Sequence, residues 1–336
     1  MKVLVVGGSQ FNGFALVQEL VRRGHDVTLF AAGDSQTNAK LSPGYPRSLR
    51  LAGLTQVAMS GMGFHFPMLS NVFDHADEYD IIHAHLDYWT FPFARQTSTP
   101  TITTLHGRLD LEEIHSIFHS YEDIPVVSIS DTQRKPLPTM NWVSTVHHGL
   151  PRDLLPYNPS AGKYLAFLGR IAPEKRPDLA IDVARKAGIP LKIAAKVDVV
   201  DREYFRDVIE PKIKGGGVEY IGEINDREKG EFLGDALALL FTIDWPEPFG
   251  LVMIEALACG TPVIARPCGS VPEVLRDGVT GFFASEVDEL VAAVKRAETL
   301  SREQCRQEFE RRFTVEVMAD NYEHIYREMM KIWPSR

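Results

Sequence analysis

Cysteine is scarce in this sequence: three residues, Cys259, Cys268 and Cys305, among 336. No two of them form a CxxC pair or a metal-ligand spacing. That excludes a disulfide framework and a cysteine-held metal, and free thiols in a reducing compartment are the expectation. Basic charge is short as well. The formal net charge is -9, and acidic residues outnumber basic ones in both halves. Neither nucleic acid nor an anionic membrane surface is therefore an expected partner. No stretch approaches the roughly 18 consecutive apolar residues of a membrane span. The opening Met1-Lys2-Val3-Leu4-Val5-Val6-Gly7-Gly8 is apolar like a signal peptide. Its run is too short and it lacks a typical cleavage site, so it reads as a buried first strand of a cytoplasmic protein. Short-period repeats and low-complexity tracts are absent.

What is present is ordinary in composition and informative in order. The apolar share is 44% and the charged share 24%, typical of a soluble globular chain whose length favours two domains. Short apolar runs alternate with amphipathic stretches, the pattern of parallel α/β architecture. Strands are predicted at Lys2–Val6, Asp26–Phe30, Asp80–His83, Thr101–Leu105 and Val126–Ser128, with a helix over Phe14–Arg23. A second series is predicted at Tyr164–Leu168, Leu191–Ala195, Val218–Ile221, Ala238–Phe241 and Pro262–Ala265. Helices Pro177–Ala187 and Arg227–Leu233 lie between these strands, and Leu290–Ala297 and Val315–Lys331 read as terminal helices. Two such series imply two Rossmann-like domains. Gly149-Leu150-Pro151 and Pro156-Tyr157-Asn158-Pro159 supply the breakers between them.

The segment from Asp244 to Ala265, DWPEPFGLVMIEALACGTPVIA, carries the most chemistry. It reads strand, loop, helix, glycine stop, strand. A helix starting near Gly250 points the free N–H groups of Gly250, Leu251 and Val252 at the crevice above the strand ends. Unpaired amides and the helix dipole both favour an anion there, so this is a phosphate site. Glu255 lies roughly 7 Å further along the axis at about 1.5 Å per residue, a separation that suits a carboxylate gripping a ribose diol. Glu247, before the helix, stands where a sugar beyond the phosphate would sit.

This segment resembles the E-x7-E signature of retaining GT-B glycosyltransferases of glycosyltransferase family 4. Phe167-Leu168-Gly169-Arg170-Ile171-Ala172-Pro173-Glu174-Lys175 is similar to the family's Gly-Arg…Lys loop. Gly269-Ser270-Val271-Pro272-Glu273-Val274 and Asp277-Gly278-Val279-Thr280-Gly281-Phe282 resemble its G-x-x-P-E-[IV] and D-G-x-x-G-[FL] stretches. Physical chemistry agrees with the first of these. A departing nucleotide diphosphate gains negative charge, and no Asp-x-Asp for holding a divalent cation occurs in the chain. Arg170 and Lys175, a fork and a point charge, serve instead, so no metal and no cofactor are expected beyond the nucleotide sugar itself.

The resemblance implies a GT-B fold, two facing Rossmann-like domains with parallel sheets. Residues 1–155 would form the acceptor-side domain, 156–314 the donor-binding domain, and 315–336 a helix crossing back to the first. It implies a retaining hexosyltransferase that moves sugar from a nucleotide-diphosphate donor, UDP by default, to a hydroxyl acceptor by a front-face route. That acceptor is a small molecule, an oligosaccharide or a lipid. His106, in Thr103-Thr104-Leu105-His106-Gly107-Arg108, matches a family histidine that faces the donor sugar. His83 and His85, in Asp80-Ile81-Ile82-His83-Ala84-His85, fall on the acceptor side. Lys196, Val197, Ile221, Glu223 and Ile224, at strand ends of the second domain, are the base-binding candidates.

The amino terminus departs from the family. Val6-Gly7-Gly8-Ser9-Gln10-Phe11-Asn12-Gly13 runs directly into a helix and resembles the nucleotide loop of NAD(P)-dependent epimerases and reductases. Gln10 stands where that loop has its middle glycine. No tyrosine has a lysine four residues later, so the Tyr-x-x-x-Lys of those enzymes is missing. Gly7 and Gly8 are expected to line the cleft as a trimmed acceptor-side loop. A sugar-nucleotide binder without catalysis is the other alternative.

Overall fold

The computed structural model describes residues 1–7, 11–49, 52, 58–160 and 162–333, with the backbone alone at 11–12 and 58–62. Gly8 therefore lies outside the described residues. The chain divides into two compact units, Met1–Gly149 with Val315–Arg336, and Leu150–Thr314.

The first unit runs β1 (Lys2–Gly7), α1 (Phe11–Arg22), β2 (Asp26–Ala32), β3 (Lys40–Tyr45), α2 (Ala58–Asp74), β4 (Ile81–His85), α3 (Phe91–Ala94), β5 (Thr101–Thr104), α4 (Glu112–Ser120), β6 (Val126–Ser128) and β7 (Trp142–Thr145). Its seven strands are all parallel, in the order β3-β2-β1-β4-β5-β6-β7. β1 and β4 are buried almost along their whole length, as parallel strands covered on both faces must be.

The second unit repeats the plan with β8 (Tyr164–Arg170), α5 (Pro177–Ala187), β9 (Leu191–Lys196), α6 (Arg202–Tyr204), α7 (Glu210–Lys214), β10 (Val218–Gly222), α8 (Asp226–Gly234), β11 (Ala236–Phe241), α9 (Leu251–Ala258), β12 (Val263–Ala265), α10 (Val271–Val274), β13 (Gly281–Phe283), α11 (Val287–Lys295) and α12 (Arg302–Arg312). Its parallel order is β10-β9-β8-β11-β12-β13. In each sheet the strand order reverses beside the first strand. The connections leave to opposite sides there, and a crevice opens at the carboxyl ends.

Three strands escape the sequence pattern. β3 carries Pro43-Gly44 and is an edge strand, where a missing N–H is tolerated. β7 is only partly buried along its length. β13 is three residues long and begins at Gly281, where a Cβ would lie 2.0 Å from the Val263 carbonyl oxygen. Only glycine allows that approach, and it interrupts the apolar run.

The division between units falls at Gly149/Leu150, within the first of the two breakers. Leu150 donates its N–H to the Phe313 carbonyl at 2.9 Å and bridges Thr314, which ties residues 150–155 to the second unit. The final helix, α13 (Val315–Ile332), packs in the first unit. Met318, Tyr322, Tyr326 and Met329 share a core with Val3, Val5 and Leu16. Arg23 fixes the helix by bonding Asp320 at 2.6 Å, Glu323 at 3.1 Å and the Glu316 carbonyl at 2.8 Å. Among the described residues no helix is long and apolar enough to cross a membrane. All three cysteines are free, and burial pushes the Cys259 and Cys305 thiols up to about 12.

One buried cation organises the amino-terminal side of the second sheet. Arg302, 7% exposed, donates to the carbonyls of Asn158 at 2.7 Å, Ala236 at 2.9 Å and Gly234 at 2.7 Å, and to the Thr261 hydroxyl at 2.8 Å. Removing the guanidinium orphans several buried acceptors at once. Arg302→Met is expected to lower the unfolding free energy of the second unit by about 3 kcal/mol or more, read as a shifted urea midpoint at unchanged slope. A loss below about 1 kcal/mol would show that water or rearrangement satisfies those carbonyls.

Candidate functional site

The second unit holds a cavity of about 490 Å³ at its switch point. Its walls are the carboxyl ends of β8 (Phe167–Gly169) and β9 (Ala194–Lys196), the end of β11 with Ile243, and the first turn of α9. Lys175, Glu223, Ile224, Asp226, Lys229, Glu247 and Glu255 complete it.

Gly250 explains how α9 comes to face the cavity. Its φ is +76°, and a Cβ would lie 2.9 Å from both the Phe241 ring and the Met253 terminal methyl. The chain can therefore turn from loop to helix only at glycine, and no side chain caps the helix. Gly250, Leu251 and Val252 line the cavity, and the first N–H groups of a helix lack intrahelical acceptors. The rest of α9, LVMIEALA, is apolar except for Glu255. An ionisable group on a helix otherwise buried in the sheet packing is costly unless it has a partner. That partner is Lys229, whose ammonium donates to Glu255 Oε1 at 2.9 Å and pairs with Asp226 at 3.0 Å. Burial alone would depress the Lys229 pKa, but the Glu255 and Asp226 carboxylates outweigh it and hold the ammonium above its usual range.

Lys229 was not legible as a site residue. Asn225 and Glu228 form a capping box at the start of α8, which puts Lys229 in the first helical turns. A lysine there opposes the helix dipole, and that local conflict is the signal that could have found it.

Lys175 and Glu247 form an ion pair in the cavity wall, and the Lys175 ammonium lies 4.6 Å above the Trp245 ring. The loop bearing Glu247 is braced from behind. Ser270 donates its N–H to the Glu247 carbonyl at 3.0 Å and its hydroxyl to the Phe249 carbonyl at 2.8 Å. Gly269 lies so close that a Cβ would stand 2.4 Å from the Glu247 nitrogen. The Gly269-Ser270-Val271-Pro272-Glu273 stretch is thus the seat of the glutamate loop. The Asp277–Phe282 stretch does other work: it turns the chain into β13, with Phe283 donating its N–H to Asp277 Oδ1 at 3.0 Å.

The other sequence-designated residues are distributed unevenly. Arg170 lies outside the cavity lining; it bonds Glu174 at 2.5 Å and approaches Asp198 at 3.6 Å and Asp201 at 3.7 Å. Of the base-binding candidates, Lys196, Glu223 and Ile224 line the cavity. Val197 packs against the core of the unit, and Ile221, exposed, stands outside the lining.

In the first unit, the carboxyl ends of β4, β5 and β7 bring four histidines together. His83 is fully buried and bonds Tyr326 and Thr104, each at 2.7 Å. His85 Nδ1 meets His106 Nε2 at 2.9 Å, and His106 stacks on His148 with centroids 5.2 Å apart. Gly7 pairs with His85 across β1 and β4. Burial depresses every one of these imidazoles: His85 to about 4, His148 to about 3, and His83 and His106 well below the ordinary value. Among the described residues no group of three His, Cys, Asp or Glu side chains is placed to hold a metal ion.

Comparison with known proteins bears on the family and the fold. The family model "Glycosyltransferase Family 4" matches residues 6–172, and "Glycosyl transferases group 1" matches residues 157–312. The chain is 24% identical over 275 residues to an uncharacterized glycosyltransferase, MJ1178, of Methanocaldococcus jannaschii, covering 74% of this chain and 76% of that one. It is 26% identical over 259 residues to the D-inositol 3-phosphate glycosyltransferase of Mycobacterium marinum. That match covers 64% of this chain and just over half, 55%, of the mycobacterial protein. Among solved structures, sucrose-phosphate synthase from Thermosynechococcus elongatus superposes with a TM-score of 0.77 at 18% identity, covering 98% and 99% of the two chains. Anabaena Alr3699/HepE in complex with UDP superposes at 0.76 and 16% identity, covering 98% and 100%. At such identities the structural likeness speaks for the fold, and the fold is GT-B. The family model that spans Gly7 is a glycosyltransferase model, which favours that reading of the first loop over a dinucleotide enzyme.

The histidine cluster makes the first unit acid-sensitive. A histidine buried neutral binds fewer protons folded than unfolded, so its stabilisation is complete above an unfolded pKa near 6.5 and is lost as pH falls towards 4. Each such group contributes a slope of up to about 1.4 kcal/mol per pH unit in that window. The thermal midpoint should fall between pH 7 and pH 5, before carboxylates dominate, and the double variant His85→Gln/His148→Gln should flatten that fall. An unchanged slope in the double variant would mean that other groups carry the acid sensitivity.

Proposed function

We propose, from the premise that this chain belongs to glycosyltransferase family 4 and has the GT-B fold, that it is a retaining hexosyltransferase using a nucleotide-diphosphate sugar. The observation that carries the proposal is the cavity of the second unit. An uncapped helix start, Lys175 and the separately held carboxylates of Glu247 and Glu255 line one space of nucleotide size. The donor is proposed to be a UDP-sugar, supported by the UDP and UDP-glucose complexes of Anabaena Alr3699/HepE. The acceptor is a hydroxyl on a small molecule, an oligosaccharide or a lipid.

In this reading the α9 first turn and Lys175 take the diphosphate, and Glu255 takes the ribose diol. Lys196, Glu223 and Ile224 surround the base. In the free protein Lys175 is spent on Glu247. Diphosphate binding would draw the ammonium away and leave the Glu247 carboxylate to meet the sugar, where positive charge develops as the anomeric bond breaks. Arg170 would join the phosphates by leaving Glu174. His106 is assigned, on the resemblance, to bond a donor-sugar hydroxyl. The acceptor oxygen bonds the anomeric carbon on the face from which the phosphate oxygen departs. That oxygen takes the acceptor's proton, so configuration is retained without an enzymic nucleophile. Fixed cations and amides stabilise the leaving diphosphate, and no divalent metal is assigned.

Two outcomes test this. Transfer or donor hydrolysis should persist in EDTA; loss of activity restored by Mg²⁺ or Mn²⁺ would overturn the assignment of Lys175 and Arg170 as the charge partners. The two glutamates should also separate. Losing a charge-assisted hydrogen bond is worth roughly 1.5–3 kcal/mol, about ten- to a hundredfold in affinity, so Glu255→Gln should weaken free nucleoside diphosphate by that factor. Glu247→Gln should leave that affinity intact, or slightly tighter because Lys175 is released, while depressing turnover. Calorimetry beside steady-state rates measures both. Equal weakening of nucleotide binding by the two substitutions would contradict the separate placement.

A further inference from the structure

His83 and His85 sit two residues apart on β4, yet the structure uses them differently. His83 has both ring nitrogens engaged, by the Tyr326 hydroxyl and the Thr104 hydroxyl at 2.7 Å each, and Thr104 is itself bonded to Tyr322 at 2.9 Å. It is a structural link between the sheet and α13. His85 spends one nitrogen, Nδ1, on His106 Nε2 at 2.9 Å. The remaining nitrogens of that pair, His85 Nε2 and His106 Nδ1, are buried and have no partner among the described residues. Leaving a buried polar atom unpaired is costly, and a ligand group at His106 Nδ1 would satisfy that nitrogen.

The rest of the His106 surroundings hold its ring in one pose. His148 stacks on it at an interplanar angle of 8°. The His106 backbone N–H donates at 3.3 Å to Oδ1 of Asp87, whose φ of +47° is strained for a non-glycine. His83 lies 4.1 Å from His85, ring centre to ring centre. With the ring stacked and its backbone tied, what remains to be set is which nitrogen is left for a ligand.

We infer that His85 is a positioning residue for His106: by occupying Nε2 it leaves Nδ1 as the ring nitrogen that meets the substrate. The inference rests on the role proposed above for His106. Burial keeps both rings neutral near pH 7. The bridging bond therefore holds one proton, and the protonation of the unpartnered Nδ1 follows from which ring supplies it. If His85 donates, His106 offers Nδ1–H to a sugar oxygen; if His106 donates, its Nδ1 accepts from a sugar hydroxyl. Either way the nitrogen that faces the ligand is chosen by a residue that does not touch it.

The test uses the full chain and two variants. In His85→Asn the side-chain amide stands near the place of Nδ1 and can keep the bond to His106. In His85→Phe the ring volume stays and the bond is lost. His85→Phe should lower the turnover of donor hydrolysis by about ten- to a hundredfold at unchanged KM and unchanged affinity for UDP, and His85→Asn should recover most of it. A purely structural role would instead lower the thermal midpoint of both variants and leave turnover per folded molecule alone. The ¹⁵N shifts of His106 in the wild-type protein give a readout free of activity. Nε2 should show the hydrogen-bonded partner, and its signal should move in His85→Phe. Wild-type turnover in His85→Phe, or a His106 ring whose nitrogen shifts are unchanged by it, would overturn the inference. Full activity in His106→Ala would instead defeat the role proposed for His106, with the NMR comparison still deciding the His85 bond.

Discussion

The reversal of strand order beside β8 is the constraint on which the site depends. Because β9 lies on one side of β8 and β11 on the other, the loops that follow β8 and β11 diverge, and nothing in the sheet fills the space between them. Backbone amides at the start of α9 can then face a ligand instead of the core. Gly250 makes this possible locally through its positive φ, and the brace from Gly269 and Ser270 holds the preceding loop in place. The family motifs flanking the glutamates are thus supports for that opening as much as parts of the site.

Electrostatics inside the opening are arranged in pairs. Lys175 with Glu247, and Lys229 with Glu255, neutralise four charges in a partly buried cavity. An unpaired charge there would carry a heavy desolvation penalty. Pairing keeps the free protein stable and leaves each group poised to exchange its partner for a ligand. The two pairs are about equally buried; Lys229–Glu255 joins two helices, while Lys175–Glu247 bridges two loops.

The first unit meets its own switch point with a different chemistry. Where the second unit uses lysine and glutamate, the first uses stacked neutral imidazoles. Burial in the sheet's carboxyl edge suppresses their charge and turns them into directional hydrogen-bonding groups. Such groups suit uncharged hydroxyls rather than phosphates, which fits the division of labour proposed between the units.

Much of this was legible in the sequence. The alternation of apolar runs and amphipathic helices marks two Rossmann-like units, because strand and helix periodicities are local properties. The string around Glu247 and Glu255 marks the helix start that lines the cavity, because one short segment carries the glycine, the helix and both carboxylates. β3, β7 and β13 were not legible, since proline, partial exposure and a close-approach glycine mask their pattern. Nor was Lys229, which reaches Glu255 from a helix 26 residues away. The tertiary structure alone decided that Arg170 rests on Glu174 rather than in the cavity, that Val197 turns to the core, and that His83 is bonded at both ring nitrogens where His85 is bonded at one. Sequence spacing records which groups the chain carries; which of them share a desolvated space is settled only when strands distant in sequence are brought side by side.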